Sequence, residues 1–283
     1  MGKAGSGLSS LRTVGTFAKR GTCSETSLCV LNRAFGDPLS DEERAAAIFA
    51  GGIMQHGYQC GLIWGAALAA GAQMYRRLGA GPKAEAGAIL KARRLVASFR
   101  TLNRDNINCL EIIELDKSAT SLQMIKFFIL KGGVIGCFRR AAKFAKAAHG
   151  EISDNVSHNE IKANSAPVSC SALVAKRMGA SEKQVTMAAG LAGGIGLSGG
   201  ACGALGAALW IDGISRIKIP GGKINFNDPG ATGIIERFLK AADYEFECAK
   251  IVGRSFENVD EHAGYLKSGG CSNIIDALVS GSS

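Results

Sequence analysis

Gly193-Gly194-Ile195-Gly196-Leu197-Ser198-Gly199-Gly200-Ala201-Cys202-Gly203-Ala204 decides the reading of this chain, because its frame occurs twice. The earlier occurrence runs Gly51-Gly52-Ile53, then Gly57, then Cys60-Gly61. In both, the second glycine of the pair stands eight residues before the cysteine, and an apolar Ala/Gly-rich run follows, over 62–72 and 204–211. Such self-similarity is the mark of one supersecondary unit used more than once. Working outward, Phe99 stands ten residues before Cys109 and Phe238 ten before Cys248, with Ile112 and Ile251 three residues after each cysteine. Leu130-Lys131-Gly132-Gly133 precedes Cys137, while Leu266-Lys267-Ser268-Gly269-Gly270 precedes Cys271.

Two quartets result: Cys23, Cys60, Cys109, Cys137 and Cys170, Cys202, Cys248, Cys271, with successive spacings of 37, 49, 28 and 32, 46, 23. The parallel order points to a tandem duplication. Residues 1–156 form the first four-Cys repeat and 168–283 the second. The linker, 157–167, sits in a Ser-, Asn- and His-rich stretch near His149 to Pro167. Two such copies each leave an apolar face, so they are expected to join as an internal pseudo-dimer. Cys29 is left over and reads as a small buried hydrophobe within a helix.

The local patterns are helical. Ile89, Ala92, Val96, Phe99 and Ile235, Phe238, Leu239, Ala242 recur at helical spacing with charges between them. Ser40-Asp41-Glu42-Glu43 and Ser181-Glu182 read as helix N-termini with acidic first turns. Alternation is scarce; only Arg216 to Phe226 suggests a small hairpin, around Pro220-Gly221-Gly222. The expected class is all-α, two tandem similar helical domains.

Composition narrows the chemistry. The 283 residues are 47% hydrophobic and 20% charged, enough to bury a core, and aromatics at 6% leave it to Ala, Ile, Leu and Gly. Nine Cys without a Cys-x-x-Cys or Cys-x-x-Cys-His exclude the usual zinc-ribbon and covalent-haem signatures. The N-terminus has no apolar signal core, so a cytoplasmic location is expected, where many cysteines point to metal or redox chemistry. Met187 to Ile211 carries no charge, but eight of its residues are Gly, which favours a buried segment over a membrane span. Gly194-x-Gly196-x-x-Gly199 matches a dinucleotide pattern without the strand that should precede it.

Cys60 and Cys202 follow Gly-dense turns at the start of Ala-rich helices. A helix N-terminus favours the thiolate, and glycines let backbone N–H groups approach sulfur or a bound anion. Gly57, Gly61, Gly199 and Gly203 are therefore candidate cofactor-binding positions. No Ser/His/Asp set appears; His56, four residues before Cys60, is the histidine to test as proton donor or ligand. Whether the chain is an enzyme stays open.

Charge is lopsided. Residues 1–160 carry 21 Lys/Arg against 13 Asp/Glu, and residues 161–283 carry 12 against 11. The excess lies in Arg76-Arg77, Lys91, Arg93-Arg94 and Arg139-Arg140-Lys143-Lys146. This basic first repeat is expected to dock an acidic redox partner protein or an anionic ligand. Nucleic acid fits poorly, with no recognised module or stacking aromatics beside the charge.

With these residues assembled, the sequence resembles the family of redox-active proteins known by its C_GCAxxG_C_C signature. The fuller motif lies in residues 168–279, around Cys202-Gly203-Ala204; residues 21–148, with Cys60-Gly61-Leu62, look like a more diverged copy. The glycine after the core is Gly65 in one copy and Gly206 in the other, offset by one position. The chain is also similar to the cluster-bearing part of split-Soret cytochromes from anaerobes, without their haem attachment. The resemblance implies that the eight quartet cysteines bind iron–sulfur clusters (2Fe–2S or 4Fe–4S), one per repeat, for electron transfer. A metal-free thiol–disulfide protein, a structural zinc protein and a packing module are the other readings.

Overall fold

Near the start of each half stands a helix whose first residue is a cysteine. The computed structural model describes residues 8–114, 133–155, 168–224 and 228–280. The first half contains α1 (Ser10–Arg20), α2 (Cys23–Ala34), α3 (Ser40–Ala45) running into a 3-10 turn (Ala46–Phe49), α4 (Gly61–Leu78), α5 (Pro82–Leu102), α6 (Cys109–Ile113) and α7 (Val134–Ser153). The second contains α8 (Cys170–Arg177), α9 (Glu182–Ala189), α10 (Gly203–Ile217), α11 (Pro229–Ala241), α12 (Cys248–Val252), α13 (Val259–Lys267) and α14 (Ser272–Val279). No strand occurs among the described residues, so the fold is all-α.

The helix starts follow local chemistry. Ser181 caps α9 through a reciprocal box with Gln184, and Asp228 caps α11 through the amides of Gly230 and Ala231, with Pro229 at the first helical position. The acidic Asp41, Glu42 and Glu43 fill the first turn of α3. The hairpin expected at Arg216 to Phe226 is corrected. Arg216 belongs to α10, held there by Asp212 one turn earlier and by Asp228, and the chain then turns through Lys218 to Gly221. Phe226 lies outside the described residues. So does the whole of the expected linker, 157–167; His149, in the stretch before it, belongs to α7, its ring stacked on Phe35 at 4.7 Å.

The core runs through both halves without a break. Helix α4 packs on α2, α5 and α9, while α10 packs on α8, α11 and α3. Thus α9, from the second half, covers α4 of the first, and α3 with its 3-10 turn, from the first half, covers α10 of the second. The tryptophans follow this exchange: Trp64 of α4 lies against Gly206 of α10, and the Trp210 indole donates to the Glu42 carbonyl at 3.1 Å. Where α4 meets α9, a Cβ on Gly71 would lie 2.5 Å from Met187 Cα, so only glycine permits this approach.

The basic excess is partly inside. Lys91 is fully buried, its ammonium donating to the carbonyls of Glu151 and Asp154 at the end of α7. Arg77 donates to Ser153 and Asp154 there, and Arg93 to the Glu257 carbonyl. These cations cap helix ends and loops, the favourable end of a helix for positive charge. Arg139, Lys143 and Lys146 remain exposed along α7.

Candidate functional site

The glycine turns place the thiols, and they do so alike in the two halves. Gly51, Gly52, Ile53, Met54, Gln55 and Gly57 all have positive φ, as do Gly193, Gly194, Ile195, Gly196, Leu197 and Gly199. Left-handed backbone at Ile53 and Ile195 is costly for β-branched residues. The turn then delivers Cys60 and Cys202 as N-caps of α4 and α10, both in extended conformation. One short bridge fixes each. The Cys60 amide donates to Ile107 and the Cys109 amide to Tyr58, both at 2.7 Å; Cys202 donates to Phe246 at 2.8 Å and Cys248 to Gly200 at 2.7 Å.

Three of the four cysteines therefore occupy matching places. Cys23 and Cys170 are the first residues of α2 and α8, Cys60 and Cys202 are N-caps, and Cys109 and Cys248 open the short helices α6 and α12. The fourth differs: Cys137 lies in the first turn of α7, whereas Cys271 caps α14 in a left-handed conformation, φ 59°. The four candidate glycines have packing reasons to lack a side chain. A Cβ on Gly61 would lie 2.6 Å from Cys23 Sγ, and one on Gly203 would strike the Leu191 carbonyl. Gly57 and Gly199 face Leu110 and Ala249 across the bridge, within 2.9 Å and 2.8 Å of such a Cβ.

In the second half all four cysteines line one cavity of about 20 Å³, together with Tyr265, His262 and apolar side chains and with no Asp, Glu, Lys or Arg. That volume is room for about one water molecule. In the first half the thiols interact with one another. Cys60 donates its thiol hydrogen bond to Cys23, and Cys109 feels both Cys23 and Cys137. Among the described residues, no group of three or more His, Cys, Asp or Glu is arranged to hold a metal ion as it stands. The donor set nevertheless suits a thiolate-ligated group: four soft sulfurs per half, with backbone N–H donors at Cys23, Cys60, Cys170 and Cys202, and with Cys60, Cys109, Cys170 and Cys202 buried.

Electrostatics separate the halves. The Cys23 thiol is held below its ordinary value by the Cys60 hydrogen bond, against burial, and by the amides of Gly51 and Ser24. Cys60 is pushed well up by the same hydrogen bond and by burial. Cys170 receives the equivalent amides, from Gly193 and Ser171, but burial outweighs them and raises it. Burial pushes Cys202 up to about 12 and Cys271 up to about 11, the latter opposed by a hydrogen bond with the Tyr265 hydroxyl. Burial likewise raises Cys109, Cys137 and Cys248. Arg140, half-buried and bonded to the Asn103 side chain at 2.7 Å, also bonds Cys137 and opposes its rise.

Residues 22–149 match the family model described as "Putative redox-active protein (C_GCAxxG_C_C)". The match takes in Cys23, Cys60, Cys109 and Cys137. It supports a redox role for a cysteine-rich chain. It also falls on the half whose motif is the less complete, so the Cys-Gly-Ala core alone does not govern the match. No curated protein and no solved structure matches.

The remaining candidates lie elsewhere. Cys29 is buried within α2, pushed up to about 11 by burial and by Glu43. The ring centroid of His56 is 5.1 Å from that of Phe246 of the other half. No helix among the described residues is long and apolar enough to cross a membrane. Sequence reasoning passed over His262, which lines the second cavity while its Nδ1 meets the Val168 carbonyl at 3.1 Å. It also passed over Tyr265, which arrives on a helix packed against the thiols, and it read Arg140 only as part of the basic docking cluster although it stands three residues after Cys137 on the same helix.

Proposed function

We propose that each cysteine quartet is a redox centre holding an iron–sulfur cluster, and that the chain transfers electrons between partner proteins. The observation that carries this reading is the cavity whose wall includes Cys170, Cys202, Cys248 and Cys271 and no charged side chain. When bound, a 2Fe–2S or 4Fe–4S cluster supplies one-electron chemistry from four thiolate ligands. Cys23, Cys60, Cys109 and Cys137 would hold one, and the second quartet the other. The chain's own contribution is to exclude water, present the sulfurs from helix starts and aim backbone N–H groups at them, all of which tune potential. Recurrence of the turns, bridges and cysteine places supports a tandem duplication joined as an internal pseudo-dimer. Arg139, Lys143 and Lys146 would steer an acidic redox partner.

A specific observation favours a second reading in the first half, a metal-free dithiol. The Cys23 sulfur lies against Gly61, the residue after Cys60, where a Cβ would come within 2.6 Å of it, and the neighbouring Cys60 holds the Cys23 thiol below its ordinary value. A Cys23 thiolate can attack a partner disulfide, and Cys60 can then attack the mixed disulfide, leaving the partner as two thiols and this pair oxidised.

Iron and acid-labile sulfide analysis of anaerobically purified protein tests both. The cluster reading expects coloured protein that loses about half its iron in Cys202→Ser, since one of two four-ligand sites is broken. Colourless, metal-free protein with disulfide exchange abolished by Cys23→Ser establishes the dithiol instead. Zinc alone in stoichiometric amount removes the electron-transfer role.

A further inference from the structure

Gln59 stands immediately before Cys60, and its side chain leaves its own half. It is fully buried, with Nε2 donating to the Gly194 carbonyl at 3.0 Å and Oε1 accepting from the Ala201 amide at 2.8 Å. Both partners border the other quartet. Ala201 precedes Cys202, and Gly194 follows Gly193, whose amide bonds the Cys170 sulfur. The amide of Gln59 thus grips, from a position adjacent to one cysteine, the backbone that positions two others.

The grip is one-way. The residue matching Gln59 in the second half is Ala201, whose methyl group has no hydrogen bond to return. The neighbouring Gly200 makes room: a Cβ there would lie 1.6 Å from Gln59 Nε2, while the matching position in the first half is Tyr58, stacked on Phe246 at 4.6 Å. A buried amide with both groups bonded is a specific arrangement. Leaving its partners unbonded carries the full desolvation penalty of buried polar groups, so the loop cannot drift from it freely.

We infer that Gln59 couples the two cysteine sites, so that a change of state at one shifts the backbone holding the other. This rests on reading the quartets as functional centres, but its test needs no cluster. A buried contact gripping two elements is a physical warrant for coupling where simple proximity is not. Coupling is also reciprocal, so each site must report on the other.

The experiment perturbs one site and reads the other in the unloaded, reduced full-length chain. Alkylation of Cys202 and Cys170 by iodoacetamide is followed by mass spectrometry, with and without Cys60→Ser. With Gln59 present, Cys60→Ser should change both rates by about fivefold or more, the low end of typical coupling. In the Gln59→Leu background the same substitution should leave them unchanged. Gly200→Ala, which displaces the Gln59 amide while keeping it, should give the same loss of response and serves if Gln59→Leu does not fold. An equal response in all backgrounds, or none in the parent chain, overturns the inference. Iron and sulfide content is measured separately, so a chain that never takes a cluster defeats the cluster reading without touching this result.

Discussion

The two halves share a glycine turn and the places of three cysteines, and differ in what surrounds the sulfur. Gly51 and Gly193 each aim an amide at the first cysteine, and each glycine turn delivers the second as an N-cap. Yet Cys23 is acidified by a thiol neighbour and Cys170 is not, and the fourth cysteine meets Arg140 in one half and Tyr265 in the other. The matching turns therefore fix where three thiols of each half stand, while side chains from unmatched helices set their chemistry. Equivalent positions in such a molecule are not equivalent groups.

The largest effect that would break this comparison is at the contact between halves. Gly71→Leu places a side chain where the α9 backbone already lies within contact of a Cβ, and overpacking of that kind costs about 1–3 kcal/mol or more. Thermal unfolding should shift down as one transition if the halves form one cooperative unit; two separated transitions would show that they unfold apart.

Next is acidity. In the metal-free chain Cys23 should alkylate at lower pH than Cys271, whose rate should climb only towards pH 11. The same shift affects stability. The folded chain keeps the Cys271 proton up to about 11 whereas a free thiol releases it near 9, so the folded state binds more protons between them. That contribution is complete below 9 and is lost as pH rises through about 11, and Cys271→Ser should flatten the slope of stability in that window. Identical pH profiles for Cys23 and Cys271 would erase the distinction between the halves.

A smaller change sharpens it. Arg140→Gln removes the cation beside Cys137, which opposes the rise of its thiol, and should slow Cys137 alkylation at neutral pH. Cys271 in the same sample is the control and should not move. The smallest effect belongs to the surface: reversing Arg139, Lys143 and Lys146 to Glu should leave stability within about 0.5 kcal/mol by thermal unfolding, as exposed sites do. It should slow association with an acidic partner at low salt only.

Much of the fold was legible in the sequence because helical spacing and cysteine register are local or repeating signals. The starts at Ser40 and Ser181 and the helices around Phe99 and Phe238 lie where their patterns put them. Alternation misled at Arg216 to Phe226, where ion pairs to Asp212 and Asp228 hold Arg216 in a helix. Lys91 counts by sequence in the basic docking surface, yet it is buried under the end of α7, a partner far along the chain. Distance in sequence also hid Gln59, whose bonds fall on residues 135 and 142 positions away. The quartets could be grouped from spacing, but the acidity of each thiol depends on packing that spacing does not encode.

The exchange of covering helices also dictates an order of events at synthesis. When residues 1–156 have emerged, α4 has α2 and α5 beside it, but α9 is still unmade, so an Ala/Gly-rich surface around Gly71 faces solvent. It stays bare until Glu182 to Ala189 has left the ribosome, and α3 meanwhile waits for α10. The nascent first half is thus a sticky, unfinished object, and a neighbouring chain's α9 could occupy the vacancy before its own arrives, the route to swapped assemblies and aggregates.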